Sequence, residues 1–240
     1  MVVTGTGTGV GKTIVTAALA ALAHARGESV AVVKPAQTGV ATGEPGDLAE
    51  IRRLSGVSDT HELARYPDPL SPEAAARTAR LPPLDLAEAA QAIRALAATR
   101  DQVLVEGAGG LLVRYHPRGT TLADLARALA APVLVVTTAD LGTLNHTALT
   151  LEALASRRLP VAGLVIGSWP EIPDIAERNN LLDLASLAGE PLSGVLRSGA
   201  ARLDRAAFRH LAHEGLAPRL GGQFDPAGFR KDNIAAKEFT

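Results

Sequence analysis

Short apolar runs alternate along the chain with longer segments whose apolar residues recur at helical spacing. A short apolar run bounded by turn residues is typical of a buried strand, and apolar residues three and four positions apart mark one face of a helix. Several of the runs are apolar throughout, as expected of strands covered by helices on both faces. The alternation predicts an α/β fold, a doubly wound and mostly parallel sheet built from right-handed βαβ crossovers.

The predicted strands are Val2–Thr4, Ser29–Lys34, Gln102–Glu106, Val133–Thr137, Val161–Ile166 and a weaker Leu192–Leu196. The predicted helices are Lys12–Arg26, Asp47–Ser55, Pro72–Ala79, Asp85–Ala98, Leu122–Ala130, Leu144–Arg157 and Ile175–Ala188. No linker divides the chain, so we expect one domain over residues 1–216, followed by a tail of uncertain order over 217–240. The first strand is short for a central one, so either it is clipped or the native start lies upstream.

The first predicted strand runs into a glycine-rich loop. Residues 2–13 read Val-Val-Thr-Gly-Thr-Gly-Thr-Gly-Val-Gly-Lys-Thr and open onto a predicted helix. In a phosphate-binding loop of this kind, backbone N–H groups and the positive end of the helix dipole hold phosphate oxygens, the lysine reaches the transferred phosphoryl group, and the hydroxyl binds Mg²⁺. The sequence therefore predicts a nucleotide site on a P-loop NTPase-like fold, with contacts from Gly9, Val10, Gly11, Lys12 and Thr13.

Three charged residues follow predicted strands at the edge of the sheet where the glycine-rich loop lies. Lys34 closes the second strand, Asp47 opens a helix after a glycine, and Glu106 ends a buried strand. Taken singly, Lys34 is equally well explained as an exposed lysine, and Asp47 is better explained as a helix cap. A carboxylate at the position of Glu106 has little use other than binding a cation. Because the Thr13 hydroxyl and two carboxylates are ligands that Mg²⁺ prefers, we expect a metal site at Thr13, Asp47 and Glu106.

Composition narrows the range of functions. Apolar residues make up 47 % of the chain and aromatic residues 3 %, so the core must be built from Ala, Val and Leu. The net charge of −1 argues against nucleic acid or an anionic membrane as the main partner. The absence of cysteine excludes disulfides, thiolate metal sites and a cysteine nucleophile. With no leader pattern and no apolar run near the roughly 20 residues that span a bilayer, we expect a soluble cytoplasmic protein.

Four motifs in this order resemble the dethiobiotin synthetase family, over residues 2 to about 198. They are Thr-Gly-Thr-Gly-Thr-Gly-Val-Gly-Lys-Thr at 4–13, Lys-Pro-Ala-Gln-Thr-Gly at 34–39, Val-Glu-Gly-Ala-Gly-Gly-Leu at 105–111 and Leu-Gly-Thr-Leu-Asn-His-Thr at 141–147. The common phosphate-binding loop has four residues between its fixed glycines. Gly5 and Gly11 bracket five here, which is the spacing of the resembled family.

The resemblance implies an ATP-dependent ring closure in biotin biosynthesis. CO₂ adds to an amine of 7,8-diaminononanoate as a carbamate, the carbamate attacks the γ-phosphate of the nucleotide, and the second amine closes the ureido ring. Lys12 and Lys34 would be the catalytic residues, because two ammonium groups neutralise the charges of carbamate and triphosphate. The substrate contacts that follow are Thr8, Lys34, Thr38, Gly107, Ala108, Gly109, Gly110, Leu144 and Asn145.

The resemblance also implies a homodimer whose two active sites are shared. The helix predicted from Leu144 offers free N–H groups and a positive dipole end to an anion. In the resembled family this end, supplied by the partner subunit, holds the distal carboxylate of the diamine. An ordinary Thr or Asn cap within one subunit is the alternative.

The base pocket is where the sequence departs from the family pattern. The resemblance places the base between Gly167 and Ser168 on one side and Leu196, Ser198 and Gly199 on the other. Family members that select adenine strongly tend to have an asparagine where this chain has Gly167. Backbone groups need not distinguish adenine, so we expect ATP to be used and CTP or other triphosphates to bind comparably or better. Asn179 and Asn180 are alternative sources of the missing amide.

Two other functions stay open at this point. A dimeric partitioning or metal-chaperone ATPase would act as a switch on a protein or DNA partner, but usually carries an extra lysine where this loop has Thr6–Thr8. A cobyrinate-type amide-forming ligase normally carries a glutaminase domain, and the chain has no cysteine to run one. Phosphate release that depends on diamine and bicarbonate separates the first function from both alternatives.

Overall fold

A computed structural model describes residues 1–234 and has a seven-stranded parallel sheet at its centre. The strands are β1 (Val2–Gly5), β2 (Val30–Lys34), β3 (Gln37–Thr38), β4 (Thr60–Glu62), β5 (Arg65–Tyr66), β6 (Gln102–Gly110), β7 (Val133–Thr137), β8 (Val161–Trp169) and β9 (Gly194–Arg197). The helices are α1 (Lys12–Ala25), α2 (Asp47–Ser55), α3 (Pro72–Ala79), α4 (Leu86–Ala97), α5 (Leu122–Ala128), α6 (Thr143–Ser156), α7 (Ile175–Ala188), α8 (Arg205–Gly215) and α9 (Pro226–Ile234).

The strand order is β4-β2-β6-β1-β7-β8-β9, with β3 and β5 forming a separate parallel pair. β1 is central, and the chain builds the sheet outward on both sides of it. The loop after β1 therefore lies where ligands bind in open α/β sheets, at the carboxyl ends of the strands. Because β6 is inserted between β1 and β2, the end of β6 is brought between the glycine-rich loop and the end of β2. This architecture confirms the predicted fold class.

The core has two layers, one on each face of the sheet. Successive residues of a strand contribute to opposite layers, with Val2 in one and Val3 in the other, and both are fully buried. This explains why the strands are apolar throughout. Five of the fourteen residues of α1 are buried alanines, which lets that helix lie close to its neighbours α2 and α8.

Some element boundaries differ from the prediction. β6 was predicted to stop at Glu106 but continues to Gly110, because its parallel pairing with β1 resumes at Gly5 after an irregularity. β8 continues past the predicted end to Trp169, which pairs with Arg197 of β9. α8 was absent from the predicted helices, since its apolar stripe is thin and rests mainly on Phe208 and Ala212.

The segment after residue 216 packs back onto the sheet domain. Phe224 is buried in the core, and the Phe229 ring of α9 lies edge-on to Trp169 at 5.5 Å between centroids. Residues 235–240 of the predicted tail lie outside the described residues. None of the helices within residues 1–234 combines the length and hydrophobicity that crossing a bilayer requires.

Candidate active site

The loop between β1 and α1 has the geometry that phosphate binding needs. Gly9 and Gly11 adopt positive φ of 77° and 95°, which glycine reaches without strain. No side chain caps α1, and its first turn has no acidic residue, so the helix end is left to an external anion. The Lys12 ammonium curls back to donate to the Gly7 carbonyl at 2.7 Å. Burial and the nearby Lys34 charge lower the pKa of Lys12 to about 8.

A cluster of charges lies beside this loop, with Lys34 and Glu106 buried and Asp47 partly exposed. The Lys34 ammonium, 3 % exposed, is 2.8 Å from Oε1 of the fully buried Glu106 and 2.5 Å from Oδ2 of Asp47. The Thr13 hydroxyl donates to the same Glu106 Oε1 at 2.9 Å. Burial opposes the charged form of Lys34, but the two carboxylates outweigh it and raise the pKa of Lys34. The structure thus brings all three predicted metal ligands into one cluster, with Lys34 in the middle.

One oxygen of this cluster has no partner. Glu106 Oε2 is buried and makes no hydrogen bond with any residue that the structure describes. A buried carboxylate oxygen normally has a donor or a cation, because leaving it bare is costly. Within residues 1–234, no three His, Asp or Glu side chains converge as a metal centre. The cluster of two carboxylates and a hydroxyl is instead the oxygen set typical of Mg²⁺, which usually keeps several waters and substrate phosphates as further ligands.

Gln37 fixes the position of Asp47. Its side-chain oxygen accepts a hydrogen bond from the Asp47 backbone N–H at 2.9 Å. The preceding residue, Gly46, packs against this amide so closely that a Cβ would lie 2.6 Å from the Gln37 oxygen. Asp47 is therefore the first residue of α2, with Gly46 in the capping position, and its carboxylate turns to Lys34.

A cavity of about 790 Å³ opens next to the charge cluster. Its walls include most of the predicted phosphate, metal and substrate residues: Thr8, Gly9, Gly11, Lys12, Thr13, Lys34, Thr38, Asp47, Glu106, Ala108 and Gly109. Sequence reasoning missed Gln37, Val113 and the segment Pro69–Pro72, which also line it. Gln37 lies inside a quoted motif, whereas Pro69–Pro72 is distant in sequence and has no local pattern that predicts a substrate contact.

Other predicted site residues of the described chain lie outside this lining. Gly107 faces Leu122 instead, and a Cβ at Gly107 would lie 2.3 Å from that side chain. Gly110 lies beside the Gly5 carbonyl, and Val10 is buried in the core. At the start of α6, Leu144 is half-buried and Asn145 is exposed. The neighbouring Leu141 is 89 % exposed, which leaves an apolar side chain in solvent beside the helix start.

The predicted base-binding segments lie next to each other at the ends of β8 and β9. The Ser198 N–H donates to the Trp169 carbonyl at 2.8 Å, which ties the segment containing Ser198 and Gly199 to the end of β8. Gly167 abuts the phosphate-binding loop, since a Cβ on Gly11 would lie 2.6 Å from the Gly167 carbonyl. Leu196 is fully buried, so neither its side chain nor its backbone is exposed there.

The two asparagines considered as substitutes for the missing amide are already engaged. Asn180 is buried and donates to the carbonyls of Ala139 at 2.7 Å and Asp140 at 3.2 Å. Asn179 donates to the Ile175 carbonyl within its own helix at 2.6 Å. In this arrangement both amide nitrogens serve the protein backbone.

Comparison with known proteins gives consistent results. A family model described as an AAA domain matches residues 1–204. The chain is 62 % identical to the ATP-dependent dethiobiotin synthetase BioD of Parafrankia sp. (strain EAN1pec), over 96 % of this chain and 97 % of that one. It is 63 % identical to the protein of the same name from Frankia casuarinae, with the same coverage, and 56 % identical to that of Streptomyces coelicolor, over 95 % of this chain and 96 % of the relative.

Solved structures resemble the fold at low sequence identity. A ParA family ATPase from Chlorobium tepidum aligns over 100 % of this chain and 99 % of its own, with a TM-score of 0.51 and 15 % identity. The MinC:MinD cell division complex of Aquifex aeolicus aligns over 82 % of this chain and 80 % of the matched chain, with a TM-score of 0.52 and 15 % identity. At this identity the likeness shows the fold alone.

Proposed function

The chain belongs to the ATP-dependent dethiobiotin synthetases, enzymes of biotin biosynthesis, and on that basis we propose the substrates and residue roles that follow. The substrates are 7,8-diaminononanoate and CO₂, and the product is the ureido ring of dethiobiotin. The observation that carries this proposal is the Lys34–Glu106–Asp47 cluster, which lies between the phosphate-binding loop and a cavity large enough for a small diamine.

Thr13, Asp47 and Glu106 are the residues that would hold Mg²⁺. Glu106 Oε2 supports this role, because it is a buried carboxylate oxygen with no hydrogen-bond donor among residues 1–234. Bound there with the nucleotide, Mg²⁺ would neutralise the charge of the transferred phosphoryl group. Lys34 pairs with the same two carboxylates, so it must give up part of that pairing when they hold a metal. The ammonium is then free to turn toward the anionic substrate.

The two lysines act by charge rather than by proton transfer. The carboxylates around Lys34 raise its pKa, so Lys34 stays an ammonium near neutral pH and cannot serve as a base. An amine of the diamine adds to CO₂ and loses a proton to form the carbamate, whose oxygen attacks the γ-phosphorus as ADP leaves. The second amine attacks the carbamate carbon and loses a proton to solvent, and phosphate leaves as the ring closes. Lys12 and Lys34 stabilise the anionic groups that meet in the first transfer.

The cavity walls suit the rest of the diamine. Thr8 and Thr38 present hydroxyls near the charged end, where they would hydrogen-bond the carbamate or an amine. The segment Pro69–Pro72, together with Val113, Ala108 and Gly109, supplies a mostly apolar wall for the aliphatic chain. The distal carboxylate would be held by Leu144 and Asn145 at the start of α6 of a partner subunit. The exposed Leu141 beside that helix supports a homodimer with a shared site.

The base is read mainly by the backbone. Gly167 and Ser168, with Ser198 and Gly199, would bind the base edge, and Asn180 holds a loop instead of offering its amide. A site without a bidentate amide contact to adenine forgoes roughly 1–3 kcal/mol of discrimination, by analogy with amide–adenine pairing elsewhere. ATP is used, and CTP and other triphosphates bind comparably or better. In competition binding of ATP against CTP and GTP, an ATP preference above about a hundredfold would contradict this, since it would show that some other residue reads the purine.

We also propose that residues 1–216 form the catalytic domain and that the enzyme is cytoplasmic. The P-loop, the charge cluster and both base-binding segments all fall within these residues, which supports that boundary. The net charge of −1 gives no electrostatic reason for a nucleic-acid or membrane partner.

A turnover assay tests the proposed substrates directly. The protein is incubated with diaminononanoate, bicarbonate, Mg²⁺ and ATP, and both phosphate and dethiobiotin are measured. Phosphate release should require diamine and bicarbonate together, and one dethiobiotin should form per phosphate. A mono-amine analogue is the matched control, since it can form a carbamate but cannot close the ring. Phosphate release that is indifferent to the diamine would refute the proposal and favour a switch ATPase.

A further inference from the structure

Four threonine hydroxyls form a connected network next to the phosphate-binding loop. Thr137, the last residue of β7, lies at its centre, 3.2 Å from the Thr6 hydroxyl, 2.8 Å from that of Thr143 and 2.9 Å from that of Thr147. We call these four residues the threonine network. Thr6 begins the glycine-rich loop, and Thr143 and Thr147 lie in the first turns of α6. Thr137, Thr143 and Thr147 are all buried.

The direction of every hydrogen bond in the network follows from one contact. The Thr143 hydroxyl donates to the Thr138 carbonyl at 2.8 Å, because a carbonyl can only accept. A hydroxyl has one proton and two acceptor positions. Thr137 must therefore donate to Thr143, and Thr6 and Thr147 must both donate to Thr137. Thr137 gives its single proton and fills both acceptor positions, so its hydroxyl is completely satisfied.

A second contact holds the same region from the other side. The Asn180 side chain of α7 donates to the carbonyls of Ala139 and Asp140, in the connection between β7 and α6. This connection ends at Gly142, whose φ of 99° turns the chain into α6. The start of α6 is thus bound by side-chain hydrogen bonds to β7, to α7 and, through Thr137, to the glycine-rich loop.

We propose that Thr137 is a positioning residue that holds the start of α6 in a defined place relative to the phosphate-binding loop. The inference rests on the proposed function, in which the loop binds the nucleotide of its own site and the start of α6 binds the substrate carboxylate in the partner subunit's site. A valine has the same shape as threonine and would fill the same space, so packing does not require a hydroxyl at this position. A satisfied buried polar network instead specifies one orientation of the parts it joins.

The experiment compares Thr137→Val with Thr137→Ser, which removes the methyl group but keeps the hydroxyl. Thr150→Val is the matched control, because Thr150 lies on the same helix and its hydroxyl donates to the His146 carbonyl of that helix, outside the threonine network. Three quantities are measured: backbone amide exchange of residues 5–9 and 143–147 by mass spectrometry, the Kd of ATP with Mg²⁺ by calorimetry, and the KM of the diamine at saturating ATP.

Thr137→Val should speed amide exchange at both segments and raise the diamine KM by about tenfold with little change in kcat, since it loosens placement rather than chemistry. Thr137→Ser should restore wild-type values, and Thr150→Val should match wild type throughout. Equal exchange in Thr137→Val and wild type would overturn the proposal. So would a failure of Thr137→Ser to restore the effect, because the methyl group and not the hydroxyl would then be responsible.

A second variant covers the case in which Thr137→Val does not fold. Thr147→Val removes one donor to Thr137 from the helix side and leaves Thr6 in place. The network predicts faster amide exchange in residues 5–9 as well as in residues 143–147 of this variant. An increase confined to residues 143–147 would overturn the proposal. If wild type shows no diamine-dependent turnover, the proposed function fails, but the exchange and ATP measurements still decide the role of Thr137.

Discussion

Replacing Lys34 with methionine removes the ammonium that pairs with Glu106 and Asp47 while keeping a similar side-chain length. Glu106 is fully buried, and without Lys34 it keeps only the Thr13 hydroxyl as a direct partner in the cluster. Breaking a buried ion pair by removing one partner costs about 3–5 kcal/mol. Each kcal/mol lowers the melting temperature of a chain of this size by about 2–4 °C. We therefore expect Lys34→Met to melt roughly 6–20 °C below wild type in metal-free buffer.

Magnesium should reverse much of this loss. A divalent cation bound by Asp47 and Glu106 supplies the positive charge that the variant lacks, whereas in wild type it must first compete with Lys34. The rise in melting temperature on adding Mg²⁺ should therefore be larger for Lys34→Met than for wild type. Mn²⁺ should bind Lys34→Met more tightly than it binds wild type, as measured by its electron paramagnetic resonance signal in the absence of nucleotide.

Turnover should respond differently from metal binding. Loss of a charge-assisted contact made mainly in the transition state should cost on the order of 3 kcal/mol, about 150-fold in kcat, while the Kd of ATP changes little. Lys231→Met is the matched control, because the chain has lysine only at positions 12, 34, 231 and 237 and Lys231 is exposed on α9. It should melt, bind Mn²⁺ and turn over like wild type.

Two outcomes would refute this reasoning. If Lys34→Met melted at the same temperature as Lys231→Met and gained no more from Mg²⁺, Lys34 would not share its carboxylates with the metal. If Lys34→Met kept near-normal turnover once Mg²⁺ had restored its stability, Lys34 would be a structural counter-ion rather than a catalytic residue.

Three further predictions concern the two ends of the site. Because the pKa of Lys12 is lowered to about 8 in the folded protein, the unfolded chain binds more protons between about pH 8 and 10.5. The free energy of unfolding of wild type should therefore rise with pH over this range relative to that of Lys12→Met. If urea unfolding gave the same pH dependence for both proteins, this prediction would be contradicted. Asn145→Ala should raise the diamine KM more than the ATP KM, and full activity in a species shown to be monomeric by sedimentation would contradict the shared site. Gly167→Asn should weaken ATP and CTP alike, because its Cβ would lie 2.1 Å from the Val10 carbonyl, and a selective gain for ATP in competition binding would show that the loop can yield.

The sheet could be predicted from sequence because its strands are buried on both faces. Val2 and Val3 lie in opposite core layers. Because successive residues are buried on both faces, such a strand has an uninterrupted apolar run in the sequence. The glycine-rich loop could also be recognised from the sequence, because the function of such a loop depends on its backbone and therefore on residue types that are close together in the sequence. The edge strand β4 and the separate pair β3 and β5 were missed because these strands are only two or three residues long and carry polar side chains.

The convergence of Lys34, Asp47 and Glu106 could also be predicted, because each follows a strand at one edge of the sheet. The direction of the Lys34 side chain could not be predicted, since a lysine at the end of a strand can extend into solvent as easily as toward a neighbouring strand. The Lys34 side chain points inward toward Glu106 because β6 lies between β1 and β2, and this strand order is a property of the whole topology. The wall formed by Pro69–Pro72 arises from the same long-range packing. The roles of all these residues stay predictions until the variants are measured.

The contact between Gly11 and Gly167 has a consequence for how nucleotide preference can change. A side chain at either position would collide with the backbone of the other segment. A single substitution of Gly11 or Gly167 would therefore displace the phosphate-binding loop. In a laboratory selection for a new base preference, successful variants should leave these two glycines untouched. Adaptive changes should instead accumulate at Ser168 and Ser198, whose exposed side chains can be exchanged without moving the loop.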